Sequence, residues 1–190
     1  MKSKLNQKLI KEIKEMFDID QELRNSWVNK KLTEPLISWG EDDEGRKPKT
    51  KMGLGLANYL VYLIDATHNT KIQRIINKYG YPISNLIGKK GMFNFFILVQ
   101  HQDYDLELQK NCLQYCDFAK KDRAHLIDRV LLHEGKEQLY GTQFQRDAEN
   151  NRMTSRPIVD KKNVDARRKK MGLRPLKYDL VAMNKKFYNK

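Results

Sequence analysis

The spacing of apolar residues is helical over most of this chain. From Leu5 to about Asn29, apolar side chains recur every three or four positions, as they do on one face of an α-helix. A second run of this kind extends from Leu56 to Tyr79, and the segment Gly80-Tyr81-Pro82 ends it. Both patterns predict amphipathic helices with one buried face. Asp65 and His68 share a face of the second helix. Arg24 in the first is either a solvated end or a residue turned into a site, and taken alone we interpret it as solvated.

The most apolar segment lies in the middle of the chain. Between Met92 and Val99 every residue except Asn94 is apolar, which predicts a central helix buried on nearly all sides. A loop is expected before it, over Asn85 to Gly91. Directly after it comes Gln100-His101-Gln102-Asp103, so a rigid buried element would hold a histidine and an aspartate at its end.

Shorter elements follow. Helices are expected over 104–120 and 122–133, and Gly135 ends the second of them. The β-leaning run after Gly135 predicts a hairpin near residues 138–158, and helices are expected again over 160–171 and 175–190. Residues 38–54 are rich in charge and glycine and predict a flexible loop. The fold class is therefore a mostly α helical bundle with a small β-hairpin, forming a single domain over residues 1–190.

Composition narrows the function classes. The net charge of +13 suits an anionic small molecule or a nucleic acid, but the lysines are spread along the whole chain, which supports nucleic acid only weakly. No apolar run approaches the roughly 20 residues of a membrane helix, and the N-terminus does not resemble a signal peptide. We therefore expect no membrane contact and a cytoplasmic location. Cys112 and Cys116 are interpreted as small core residues.

The candidate chemistry centres on His101. A histidine titrates near neutral pH and is the best general acid or base here, and Asp103 or Asp128 could orient it. The glutamines, tyrosine and threonine around Gly141 could form one wall of a polar pocket that holds an oxygen-rich group. Arg167 and Arg168 could clamp a phosphate or carboxylate, and on a helix we expect Arg168 to be the one that faces inward.

Four separated motifs occur in order: QHQD at 100–103, IDR at 127–129, GKEQLYGTQ at 135–143 and VDARRKKMGLRPL at 164–176. Together they resemble an uncharacterised bacterial family, a domain of unknown function, from about Asp20 to Tyr178. That family has Asp-x-x-Asn where this chain has Asp65 and His68. The resemblance implies functional roles for a set of polar residues, which are Gln100, His101, Asp103, Asp128, Arg129, Gln138, Tyr140, Thr142, Gln143, Asp165, Arg167 and Arg168.

Three interpretations of these residues stay open. The first is an enzyme that performs hydrolytic or transfer chemistry on an anionic substrate, with His101, Asp103 and Asp128 as catalytic residues. The second is a non-catalytic module that binds a small anion, a nucleic acid or a protein. The third is a network of buried polar groups that only fixes loops. No nucleophile elbow, phosphate loop or zinc-type motif is present, so no metal site and no specific cofactor are predicted.

Overall fold

The computed structural model describes residues 5–28 and 51–188. Most of the predicted loop at 38–54 lies outside these residues. Its last four positions, 51–54, are helical and begin the second helix. None of the described helices is both long enough and apolar enough to cross a membrane.

The described residues are mostly helical, as the apolar spacing predicts, and they include one small antiparallel hairpin. The elements in chain order are α1 (Gln7–Val28), α2 (Lys51–Tyr79), α3 (Ser84–Gln100), α4 (Leu106–Tyr115), α5 (Lys120–His133), β1 (Phe144–Asp147), β2 (Arg152–Ser155), α6 (Val164–Lys170) and α7 (Leu176–Tyr188). The chain divides into two compact units, and the single-domain organisation over residues 1–190 stays a prediction.

The first unit contains α1, α2 and most of α3. The side chain of Asn6 caps α1 by accepting a hydrogen bond from the amide of Leu9, and the Asn6 amide donates to the Leu86 carbonyl. The fully buried side chains of this unit come from all three helices and are mainly aliphatic: Leu9, Ile13, Met16, Ile72, Ile75, Ile87, Leu98 and Val99. Ile19 and Leu63, which the spacing placed in the core, are exposed.

The predicted loop before the central helix is wrong. Residues 85–91 are helical except at Gly88, where φ is 70° and two helical segments meet at a kink, and α3 denotes both segments together. Of the two glycines that suggested a loop, only Gly88 interrupts the helix, and Ile87 and Met92 on either side are buried. The apolar segment from Met92 to Val99 is largely buried, as predicted, although Phe93 is exposed.

The second unit contains α4 to α7 and the hairpin. Asp105 caps α4 through the Leu108 amide, and the predicted core cysteines, Cys112 and Cys116, are buried and unoxidised. Helix α5 ends at His133, and Gly135 follows it with a positive φ of 72°. The amide of Lys136 reaches back to the Leu131 carbonyl, so a Schellman-type turn ends the helix where glycine predicted it.

The hairpin lies inside the predicted region. Strands β1 and β2 pair antiparallel with Phe144 opposite Ser155 and Asp147 opposite Arg152. Helix α7 packs on β2, and the Asn184 side chain bonds both the amide and the carbonyl of Met153. The small core beneath the hairpin is formed by Ile158, Val164 and Leu176, with Phe144 and Leu180 against it.

Candidate functional site

Asp128 on α5 organises the loop that follows the helix. The carboxylate is fully buried and accepts hydrogen bonds from the amides of Leu139, Tyr140 and Thr142 at 2.8–2.9 Å. It also accepts one from the Thr142 hydroxyl at 2.9 Å. Hydrogen bonds to an ionised group are worth about 1.5–3 kcal/mol each, so this set compensates for burying a carboxylate. The oxygens of Asp128 are thus occupied by backbone and hydroxyl donors.

The Gln138 side chain closes the same loop. Its Nε2 donates to the carbonyls of Gln143 and Arg156 at 3.0 and 2.8 Å, and its Oε1 accepts the Gln143 amide at 2.9 Å. Gly141 between them has a φ of 66°, and a Cβ added there would lie 2.8 Å from Ile158 Cδ1. The positive φ therefore favours glycine at this position, and an added side chain would also displace the Ile158 side chain.

Arg168 is the inward-facing arginine, as predicted, and it is completely buried. Its Nε donates to the Arg174 carbonyl at 2.7 Å, its Nη1 to the Tyr140 carbonyl at 2.7 Å, and its Nη2 to Asp179. All three guanidinium nitrogens are therefore bound to protein groups. A phosphate could reach this guanidinium only by displacing them.

The neighbouring motif residues also hold the backbone. Arg167 donates from Nε to the Leu139 carbonyl at 2.8 Å and from Nη2 to the Val159 carbonyl. Asp165 accepts the Leu176 amide at 2.8 Å and thereby fixes the start of α7. Gly172 ends α6 with a φ of 73°. Most of the 164–176 motif thus has a contact that positions a turn or a helix end.

Two further predicted residues form a pair near the surface. Arg129 Nη1 donates to both oxygens of Asp103 at 2.5 and 2.7 Å, and the Asp103 side chain is 52% exposed. His133 Nε2 lies 3.6 Å from the same carboxylate. An exposed pair of this kind contributes little to stability. Gln100 ends α3 and is partly buried, and Tyr140 takes part in the network through its backbone.

A different cluster of charged groups lies in the first unit. Asp20 on α1 is 1% exposed and accepts hydrogen bonds from Arg24 Nε, one turn later, at 2.9 Å, and from Gln21 Nε2 at 2.8 Å. The same guanidinium donates from Nη2 to Asp65 on α2 at 2.5 Å. Arg24 therefore bridges two buried carboxylates, and the expectation that it is a solvated helix end is wrong.

His101 is the residue directly after α3, and its side chain belongs to the same cluster. Its Nδ1 lies 2.9 Å from Asp20 Oδ1, and its side chain is 14% exposed. Arg24 and His101 hold the pKa of Asp20 at about 2 against the opposing effect of burial, so the carboxylate is ionised at neutral pH. It can then only accept, which assigns the hydrogen to His101 Nδ1. Across the described part of the chain, no group bonds to the other ring nitrogen, Nε2.

Burial shifts the remaining two titratable groups of the cluster. It raises the pKa of Asp65 although Arg24 opposes that shift. It lowers the pKa of His68 to about 4, so this imidazole is neutral. His68 is 2% exposed, and its Nδ1 has no hydrogen-bond partner among residues 5–28 and 51–188. Two carboxylates with pKa values displaced in opposite directions, beside two histidines, are typical of sites that move protons.

This constellation differs from the one predicted for His101. Asp20 is its carboxylate partner, whereas Asp103 binds Arg129, and Asp128 binds its loop. The sequence signal for Asp20 is that it continues the buried stripe Leu9, Ile13 and Met16 at helical spacing. Asp65 and His68 continue the stripe of Ile72 and Ile75 in the same way. A charged residue on an apolar stripe identifies a buried polar site that a motif alone does not.

A family model described as a family of unknown function (DUF6624) matches residues 48–189. The chain belongs to this family. No curated protein and no solved structure matches the chain. The DUF6624 match contains every motif singled out in the sequence as well as Asp65, His68 and His101. Asp20 and Arg24 lie before the matched residues.

Within the described residues, no group of three or more histidine, cysteine, aspartate or glutamate side chains is arranged to hold a metal ion.

The DUF6624 motifs divide into two parts. The side chains of Asp128, Gln138 and Arg168 bond mostly to backbone groups of the loop that follows α5 and of neighbouring turns. The histidine of QHQD lies beside the Asp20–Arg24–Asp65 cluster and has a ring nitrogen without a protein partner.

Proposed function

We propose that this DUF6624 protein is an enzyme that uses His101 as a general acid or base in hydrolytic or group-transfer chemistry. The observation that carries the proposal is the 2.9 Å contact between His101 Nδ1 and the buried Asp20 carboxylate, with Nε2 unbonded among the described residues. A carboxylate on one ring nitrogen fixes the tautomer and the orientation of the imidazole, which makes the other nitrogen a directed proton acceptor.

The cluster also supplies a group that can bind the substrate. Arg24 uses Nε and Nη2 for Asp20 and Asp65, and its Nη1 makes no hydrogen bond to a described residue. A guanidinium N–H beside a proton acceptor suits an anionic oxygen of a phosphate or carboxylate. The net charge of +13 would attract such a substrate from solution. We assign Arg24 to substrate binding and Asp20 to the positioning of His101.

The attacking group in this mechanism is a water molecule or a second substrate. No serine, threonine or cysteine hydroxyl or thiol bonds to His101 within the described ranges. His101 Nε2 would take the proton of the attacking hydroxyl as the new bond forms, and the imidazolium would return it to the leaving group. The ionised Asp20 stabilises that imidazolium throughout.

The test is a screen for turnover of chromogenic phosphate monoesters, phosphodiesters and carboxylate-bearing esters. His101→Gln should lower kcat/KM by roughly 10²–10⁴-fold, the usual contribution of general acid–base catalysis. His133→Gln is the matched control, because His133 also lies near an aspartate but is exposed. The control should retain full turnover. Unchanged turnover in His101→Gln would exclude the proposed role.

A non-catalytic binding module is the second candidate, and the orphaned Nδ1 of buried His68 favours it. A bound group could accept or donate a hydrogen bond there without reacting. Turnover and thermal stability, both measured with the same panel of compounds, separate the two functions. A ligand that stabilises the wild type and His101→Gln equally, with no member of the panel converted, would indicate binding alone.

A further inference from the structure

The second unit contains a cavity that the catalytic proposal does not use. It has a volume of about 660 Å³ and opens between the loop after α5, the start of β1, the turn after α6, and α7. Small-molecule sites in proteins occupy roughly 300–1,000 Å³. Phe144, Leu173 and Met183 provide an apolar part of its wall, and His125, Gln143 and Arg174 provide polar groups.

His125 is a neutral imidazole in this cavity. Burial lowers its pKa, although the charges of Asp128 and Asp179 oppose the shift. A neutral ring offers one N–H donor and one acceptor. Neither ring nitrogen bonds to any residue that the structure describes, so both are available to a molecule in the cavity.

Gln143 adds an unused acceptor. Its Nε2 makes a long contact of 3.5 Å to the His125 carbonyl and one of 3.2 Å to Thr142 Oγ1. Its Oε1 has no partner within the described chain. The Gln143 backbone, rather than its side chain, provides the strong bonds that close the loop. The side chain is therefore not needed to hold the fold.

The charged groups at the cavity differ in whether all of their polar atoms are paired. Asp179 is neutralised by both Arg168 and Arg174, the latter through an Nε contact of 2.5 Å. Arg174 is 56% exposed at its side chain, and its Nη1 and Nη2 make no hydrogen bond to a described residue. The interior thus presents neutral donors and acceptors, whereas the free guanidinium nitrogens lie on an exposed side chain.

We propose that this cavity binds a planar heteroaromatic ring of the nucleobase type, with a phosphate group placed against Arg174. Such a ring has N–H donors for Gln143 Oε1. It also has a donor and an acceptor that can pair with the two nitrogens of the His125 ring. Its faces would contact Phe144 and Met183. A bare anion fits the interior less well than such a ring, because it has no N–H donor for Gln143 Oε1.

Titration calorimetry with adenosine, guanosine, uridine and their 5′-monophosphates tests this site. Gln143→Met should weaken all ligands that bind by about 5-fold, since one hydrogen bond is worth about 1 kcal/mol. Gln145→Met on exposed β1 is the matched control and should change nothing. Arg174→Gln should weaken the monophosphates by about 10-fold and leave the nucleosides unchanged, because it removes a charge-assisted bond. Arg156→Gln, also exposed, is its control.

Three results would overturn the proposal. The first is no binding of any nucleoside or nucleotide up to the order of 10 mM, which is weaker than any useful site. The second is binding that Gln143→Met leaves intact. The third is binding of inorganic phosphate as tight as that of the nucleotides, which would leave an anion site with no base recognition. If Gln143→Met does not fold, Met183→Ala provides an independent variant for the same comparison.

Discussion

At the scale of single residues, the informative positions are polar side chains on faces that should be apolar. Asp20 and His68 are almost completely buried, yet each occupies a position where its helix otherwise presents aliphatic residues. Burying such groups is costly, and here an arginine and a second histidine offset part of the cost. His68 is the clearest case, because burial lowers its pKa and no described residue hydrogen-bonds to its Nδ1.

His68 should make the folded state sensitive to acid. Its pKa is about 4 in the folded chain and 6.5 for the free side chain, so between these values the unfolded chain binds a proton that the folded chain does not. Stability should therefore fall as the pH drops from 6.5 to 4, by on the order of 2–3 kcal/mol from this residue. Urea unfolding of the wild type and His68→Gln across that range measures the difference.

The variant should show a smaller loss of stability over this pH range. Some loss will remain, because burial also lowers the pKa of His125. His133→Gln serves as the control, since that histidine is exposed and should leave the profile of the wild type unaltered. Identical profiles for His68→Gln and the wild type would show that His68 does not titrate as described.

At the scale of elements, the family motifs around α5, α6 and the hairpin make hydrogen bonds that hold a loop and helix ends in place. Asp128 accepts hydrogen bonds from three amides of one loop, and Gly141 in that loop has a positive φ that favours glycine. Arg168 donates to the carbonyls of Tyr140, Gly141 and Arg174 and to the carboxylate of Asp179. These contacts join α5 and the loop that follows it to α6, with Arg168 lying 28 residues after Tyr140. The interpretation of the buried motif residues as a loop-fixing network explains Asp128, Gln138, Arg167 and Arg168 better than a ligand site does.

Asp128→Asn tests this interpretation. The substitution keeps the size but removes the charge and turns one acceptor into a donor that faces amide groups. We expect a loss of about 3 kcal/mol, because buried amide donors lose a charged acceptor and face a donor instead. Amide hydrogen exchange should accelerate at Leu139, Tyr140 and Thr142. Asp103→Asn, at an exposed carboxylate, should change stability by less than about 0.5 kcal/mol. Equal effects of the two substitutions would contradict the network.

At the scale of the whole molecule, the helical fold was predictable because amphipathic periodicity and glycine positions act locally. Gly80 and Gly135 end helices where expected, and the hairpin lies within the predicted range. The loop predicted before Met92 is wrong because Gly88 produces only a kink between two helical segments, and the buried Ile87 lies on one side of it. His101 was identifiable as a candidate, but its partner was not. Asp20 is 81 residues away, and no local rule pairs two such positions.

The most direct test of the His101–Asp20 site is the kcat of Asp20→Asn, measured on the first substrate that the wild type converts. Asparagine has the shape of aspartate but cannot stabilise an imidazolium, so kcat should fall roughly 10²–10⁴-fold with KM nearly unchanged. Asp18→Asn, at an exposed position of the same helix, should keep the kcat of the wild type. A folded Asp20→Asn protein with the kcat of the wild type would contradict the proposed site.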